Sequence, residues 1–185
     1  MLPSSFFTSS TLTTLKLSTF NLKLPSRIQF PALKILEFSE ITFCGDYLSN
    51  TLFSDSCCPM LEKLVLSFCN SVPNHYVTPS ICATSIKSLK IGDNDGFYFT
   101  LSCPNLHELY FAGDKLPEIS FETLSSLSIA TFDLCSLPSS FDVMENLTMG
   151  MHNLHTLGLK GYYIEVWFIL ILDILFSFKL RSQLH

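Results

Sequence analysis

Apolar residues recur along this chain in one short phrase. In Leu61-Glu62-Lys63-Leu64-Val65-Leu66 three leucines are spaced so that the last two share a face of an extended strand, while Lys63, Val65 and Ser67 take the other face. The phrase returns at Leu12 (with Leu15 and Leu17), Leu33 (Leu36, Phe38), Ile86 (Leu89, Ile91), Leu106 (Leu109, Phe111), Leu124 (Leu127, Ile129) and Leu154 (Leu157, Leu159). With the copy at Leu61 that makes seven, at irregular intervals. A strand this short cannot bury an apolar face alone, but parallel copies stacked side by side can. The pattern therefore predicts parallel strands near 13–18, 34–39, 62–67, 87–92, 107–112, 125–130 and 155–160.

An L-x-x-L-x-L-x-x-N/C phrase at a period of about 20–29 residues is the signature of a leucine-rich repeat, and the intervals here scatter around that length. Cys69 occupies the N/C position of the copy at Leu61. The expected fold is α/β, a leucine-rich-repeat solenoid or horseshoe with a parallel β-sheet on its concave face. Helical spacing over 45–55 and 140–147 predicts convex-side helices, and Pro25, Pro73, Pro79, Pro117 and Pro138 fall between strands, where a missing amide donor does little harm. The array spans 1–161 in about seven irregular repeats and an apolar tail follows over 162–185. No polar capping unit precedes the first copy, so Leu15 and Leu17 are expected on an open end face. Tyr162 to Phe178 carries only two charges, Glu165 and Asp173. Three roles remain open for it. A cover over Leu157 and Leu159 is favoured; a membrane anchor would be short of the roughly 20 residues a span needs and would bury Asp173; a passive tail is the third.

Composition narrows the function. Hydrophobic residues make up 48% of the chain and charged residues only 15%, enough for a sizeable core. A net charge of −5, with eleven Lys and Arg scattered singly, argues against a nucleic-acid surface. Seven cysteines without a C-x-x-C pair, and no secretory leader after Met1, point to a reducing compartment. The expected location is cytoplasmic or nuclear, the alternative being a membrane held through 162–178. No phosphate-binding loop, dinucleotide fingerprint or nucleophile elbow occurs, so no enzyme is expected. His152 and His155 have no neighbouring Cys or carboxylate to complete a metal set, and no metal or cofactor is expected.

Two phrases carry a resemblance beyond the general repeat. Ser56-Cys57-Cys58-Pro59-Met60-Leu61-Glu62-Lys63-Leu64 and Ser102-Cys103-Pro104-Asn105-Leu106-His107-Glu108-Leu109 resemble the S-x-C-P-x-L-E-x-L phrase of plant F-box proteins with leucine-rich repeats. The opening, Leu2-Pro3-Ser4-Ser5-Phe6-Phe7 followed by Leu12-Thr13-Thr14-Leu15-Lys16-Leu17-Ser18, is similar to the segment where that family's array begins. The resemblance covers 1–161. It implies substrate recognition for ubiquitination. The F-box that docks a Skp-type adaptor in that family has no counterpart in these residues, so the isolated chain is not expected to bind the adaptor. The family's frequent C-terminal domain is replaced by the apolar tail. The alternative reading is a truncated, non-functional fragment, tethered to a membrane if the tail inserts.

The only binding surface that the pattern itself builds is the concave one. Its columns are expected to read Thr14, Ile35, Lys63, Ser88, Glu108, Ser126, Thr156; then Lys16, Glu37, Val65, Lys90, Tyr110, Ser128, Gly158; then Ser18, Ser39, Ser67, Gly92, Ala112, Ala130, Lys160. Glu37, Lys63, Val65, Lys90, Glu108 and Tyr110 form a mixed, amphipathic patch in the middle, the candidate site for a protein substrate or ligand. Tyrosine is enriched at such interfaces.

Overall fold

In a computed structural model, residues 4–18, 28–43, 52–71, 79–94, 99–113, 118–134 and 153–161, with 165 and 169, are described. The chain coils, each turn contributing one strand to a main sheet. The first coil holds β1 (Thr14–Ser18). The second holds β2 (Ile35–Ser39) and the short β3 (Thr42–Phe43), and the third holds β4 (Lys63–Ser67) and β5 (Asn70–Ser71). In the fourth and fifth, a rear strand precedes the main one: β6 (Ser80–Cys82) before β7 (Ser88–Gly92), and β8 (Thr100–Ser102) before β9 (Glu108–Gly113). The sixth runs through β10 (Glu118–Ile119), a short helix α1 (Phe121–Ser126) and β11 (Ile129–Leu134), and the seventh contributes β12 (Thr156–Lys160).

The main sheet has the order β1-β2-β4-β7-β9-β11-β12, parallel throughout. A second sheet, β10-β8-β6, is parallel as well, and Ser54 bridges to Cys82 at its edge. Ile81 and Leu101 of the second sheet share one buried cluster with Leu36, Leu64, Leu89 and Leu109 of the main sheet. The leucine-rich-repeat solenoid expected from the sequence is thus the fold. The core lies between the concave sheet and the returning chain.

Each of three coils re-enters the sheet through the same turn. In Phe30-Pro31-Ala32-Leu33, Cys58-Pro59-Met60-Leu61 and Cys103-Pro104-Asn105-Leu106 the fourth residue's N–H donates to the first residue's carbonyl, at 3.2, 3.1 and 3.0 Å. Proline suits the second position of such a turn because its φ is preset and no donor is lost. The first residue faces inward: Phe30, Cys58 and Cys103 are buried. At the other end of the strand, the N/C position of the third coil meets an asparagine of the fourth. The Cys69 N–H donates to Asn94 Oδ1 at 2.8 Å, and the Cys69 thiol donates to the Phe38 carbonyl at 3.7 Å. These bonds tie successive coils together beyond the ends of the main ladder.

Four expectations need correction or limits. The sixth strand does not occupy 125–130. It begins at Ile129, opposite Glu108, so that Leu127, Ala130 and Phe132 are the buried phrase and Ile129 is 41% exposed. The competing structure at 121–126 is α1, opened by Ser120, whose Oγ accepts the Thr123 N–H at 3.3 Å as an N-terminal cap. A start at Leu124 leaves the interval before it too short and the one after it too long, whereas a start at Leu127 brings both within the usual repeat length. The first coil's end face is not open at Leu15. A 3-10 turn over Ser4–Thr8 brings Phe7 into the cluster that buries Leu15, and Phe6 and Phe7 contact Phe30 with ring centroids 6.3 Å away in each case. Leu17 is half-buried against the same cluster.

Of the convex helices expected at 45–55 and 140–147, the second lies outside the described residues, as does most of the first, and residues 52–57 form turns about the Ser54 bridge. Among the described residues the rear side of the middle coils is built from short strands. At the far end Leu157 is 39% exposed, and the segment expected to cover it lies almost wholly outside the described residues, apart from Glu165 and an exposed Ile169. No described helix is long and apolar enough to cross a membrane.

Candidate concave binding site

The outward residues of the main strands stand in register from coil to coil. One row runs Lys16, Glu37, Val65, Lys90, Tyr110, Thr131, Gly158. The next runs Thr14, Ile35, Lys63, Ser88, Glu108, Ile129, Thr156. All six sequence candidates therefore lie on one face. The shift of the sixth strand replaces Ser126, Ser128 and Ala130 in the three columns by Ile129, Thr131 and Asp133. Ala130 is buried, because it is the second apolar position of its repeat.

Charges on this face are arranged in small groups. Glu37 pairs with Lys16 at 2.8 Å and with Lys63 at 3.8 Å. Along the residues that lead into the strands, Glu62 pairs with Lys87 at 3.3 Å and with Lys34 at 3.7 Å. Each glutamate thus holds two lysines and leaves one positive charge over. These pairs are mostly open to solvent, and exposed pairs contribute about 0–1 kcal/mol, so they pattern the surface more than they hold the fold. Glu108 accepts a hydrogen bond from Ser88 Oγ at 3.0 Å.

Tyr110 is the hub of the middle. The Lys90 ammonium lies 5.0 Å from its ring centroid, a cation–π contact. Its hydroxyl donates to Asp133, and burial, followed by the carboxylates of Asp133 and Asp93, pushes it above the ordinary tyrosine range. Beside Tyr110 the strand ends on a buried glycine: a Cβ at Gly92 would make ordinary van der Waals contact with Ser67 Oγ and Tyr110 Cε1, each at 3.9 Å. On the rim, Met60, Glu62, Thr84, Ser85, Lys87, Asn105 and His107 line an open depression of about 400 Å³. It is formed by the re-entry turns of three successive coils.

Asp133 and Thr131 escape the sequence pattern because a copy starting at Leu124 matches the leucine phrase better than the true one does. The more regular interval between Leu106 and Leu127 is the signal that could have found them. Among the described residues no group of three or more His, Cys, Asp or Glu side chains could hold a metal ion. The five described cysteines are free thiols, and burial raises Cys58 to about 12 and Cys103 to about 11, which suits packing groups and not nucleophiles.

Comparison with known proteins agrees with this architecture. Residues 1–120 match the family model for the leucine-rich repeats of the FBD-associated F-box protein At5g56370. An Arabidopsis thaliana protein named as an F-box protein, At3g44060, is 30% identical over 179 residues, covering 89% of this chain and 40% of its own length. A second Arabidopsis protein, named as an F-box/LRR-repeat protein, At3g44090, is 27% identical over 179 residues, covering 89% of this chain and 38% of its own. The chain thus spans about two fifths of the length of these curated relatives. No solved structure matches it significantly.

Proposed function

Because the chain belongs to the family of leucine-rich repeats found in FBD-associated F-box proteins, we propose that it is a protein-recognition module of the kind that selects substrates for an F-box ubiquitin ligase. In this reading 1–161 form one recognition unit, and the partner lies across the concave sheet, over Glu37, Lys63, Val65, Lys90, Glu108 and Tyr110. The observation that carries it is the Lys90–Tyr110–Asp133 group in the middle of a continuous seven-stranded face. A tyrosine held by a cation on its ring and a carboxylate on its hydroxyl is pre-oriented, so little side-chain entropy is lost on binding. No catalytic step is assigned to the face. Its work is to bind.

A photo-crosslinking amino acid placed at Val65 on the concave face, and separately at Ser80 on the rear sheet, tests this in plant extract. The expected result is a discrete crosslinked protein from Val65 and none from Ser80. Crosslinking from Ser80 alone would move the site to the opposite side.

A further inference from the structure

We infer that Asp133, on the sixth strand, is a positioning residue of the concave site: it accepts the hydroxyl proton of Tyr110 in a hydrogen bond, and so restricts the partner at that oxygen to a nitrogen donor. The inference rests on the concave-face reading above and adds to it a residue and the chemistry that the residue selects.

The placement follows from the register. Tyr110 pairs with Thr131 across the ladder of β9 and β11, and Asp133 lies two residues further along the same face, opposite Ala112. To reach it, Tyr110 has to lean roughly 7 Å toward the ends of the strands. A contact on the other side of β9 shows the same lean. Gly92 pairs with Ala112 from β7, and its Cβ position lies 3.9 Å from Tyr110 Cε1. Gly92 and Ala112 point to the concave face and are nevertheless buried, as residues under a leaning ring are. Lys90, the partner of Tyr110 on β7, holds the ring with its ammonium 5.0 Å from the centroid. Lys160 stands opposite Asp133 on β12, but among the described residues it makes no ion pair, so the Asp133 carboxylate is not drawn away from the phenol.

A phenol has one proton to give and lone pairs with which to accept. Its bond to a carboxylate is charge-assisted, and burial together with the carboxylates of Asp133 and Asp93 keeps the hydroxyl protonated. With the proton committed to Asp133, the oxygen can only accept. A partner carboxylate would meet a lone pair and two like charges, whereas an N–H of Arg, Lys, Asn or Gln meets an acceptor whose direction is already fixed. Rejection of the wrong group thus adds to the selectivity that attraction of the right one gives.

Two experiments on the full chain test this. Carbon-13 NMR with ring-labelled tyrosine reads the bond without any partner, the Tyr110 signal being the one lost in Tyr110→Phe. That signal should titrate above the ordinary tyrosine range, and Asp133→Asn should lower its midpoint by removing the carboxylate; a midpoint left in place would overturn the inference. Selection of a random peptide library displayed on phage reads the partner chemistry, and the expected pool is enriched in Arg, Lys, Asn and Gln over Asp and Glu. Asp133→Asn, which still accepts the phenol proton, should bind this pool within about threefold of the unmodified chain, whereas Asp133→Leu should lose about tenfold or more. In a Tyr110→Phe background Asp133→Leu should cost nothing further. Both variants should keep the unfolding midpoint, since Asp133 is on the solvent side of β11. Equal losses in the two variants, a pool rich in Asp and Glu, no selected peptide, or a midpoint lowered in both variants would each overturn the inference. Val65→Glu separates the two levels of the argument: peptides that it excludes but that Asp133→Leu does not weaken leave the concave reading standing and sink this inference, whereas peptides that it does not affect sink both.

Discussion

The register of the sixth repeat can be settled by one pair of substitutions. Phe132 is 2% exposed and Ile129 is 41% exposed, whereas a strand beginning four positions earlier would place Ile129 in the core. Truncating a buried phenylalanine removes its transfer free energy and leaves a cavity, together about 3–5 kcal/mol. Ile129→Ala, at an exposed position, should cost within about 0.5 kcal/mol. For a domain whose total stability is of the order of 5–15 kcal/mol, the first loss is large, so Phe132→Leu, at about 1 kcal/mol, provides a gentler companion that still folds. Urea denaturation followed by far-ultraviolet circular dichroism reads the difference. With a slope of about 2 kcal/mol per molar, a loss of about 4 kcal/mol moves the midpoint down by about 2 M for Phe132→Ala, while Ile129→Ala leaves it in place. Equal shifts, or a larger one for Ile129→Ala, would refute the assignment of Leu127, Ala130 and Phe132 as the buried phrase.

In the third repeat, Leu64→Ala should cost about 2–5 kcal/mol and Lys63→Ala well under about 1 kcal/mol in the same assay, since Leu64 is fully buried and Lys63 is exposed. Gly161 has φ of 119°, and a Cβ there would collide with the Leu134 carbonyl oxygen, so Gly161→Ala should destabilise by roughly 1–3 kcal/mol; an unchanged midpoint would contradict that backbone placement. Site-resolved mass spectrometry after alkylation at mildly alkaline pH should find Cys82 modified well before Cys58 and Cys103, because both buried thiols are held protonated; equal rates would show that they are not buried. The same shifts predict the alkaline limb of stability. The folded state keeps protons on Cys58 and Cys103 that the unfolded chain releases near pH 9, so their contribution is constant below that pH and declines as pH rises from about 9 toward 12. A rise over that range would contradict burial of these groups.

Much of the fold was legible because its repeating unit is short and its inward positions are mostly leucine or isoleucine. Leu61, Leu64 and Leu66 declare their side of the strand without reference to anything distant. The sixth copy is harder, since its inward residues are Leu127, Ala130 and Phe132 while Leu124 and Ile129 complete a better leucine phrase three positions earlier. What decides between them is the Ser120 cap and the helix it opens, a competition that apolar periodicity does not register. The cover over Leu15 escapes for a related reason: Phe6 and Phe7 sit in a 3-10 turn with no strand or helix period. On the site, the columns follow from alternation, so Glu37, Lys63, Val65, Lys90, Glu108 and Tyr110 fall together. The ion-pair triplets around Glu37 and Glu62 depend on side chains from three different coils, and the hydrogen bond of Tyr110 to Asp133 on the register of the sixth strand. Neither is written in local sequence.

The claim that the concave face recognises a protein is tested most directly by titration calorimetry of the partner crosslinked through Val65, against the unmodified chain and a Tyr110→Ala, Lys90→Glu variant. The account predicts at least tenfold weaker binding by the variant, a loss of about 1.4 kcal/mol or more, with an unfolding midpoint unchanged because both side chains are on the solvent side of their strands. Unchanged affinity would contradict it.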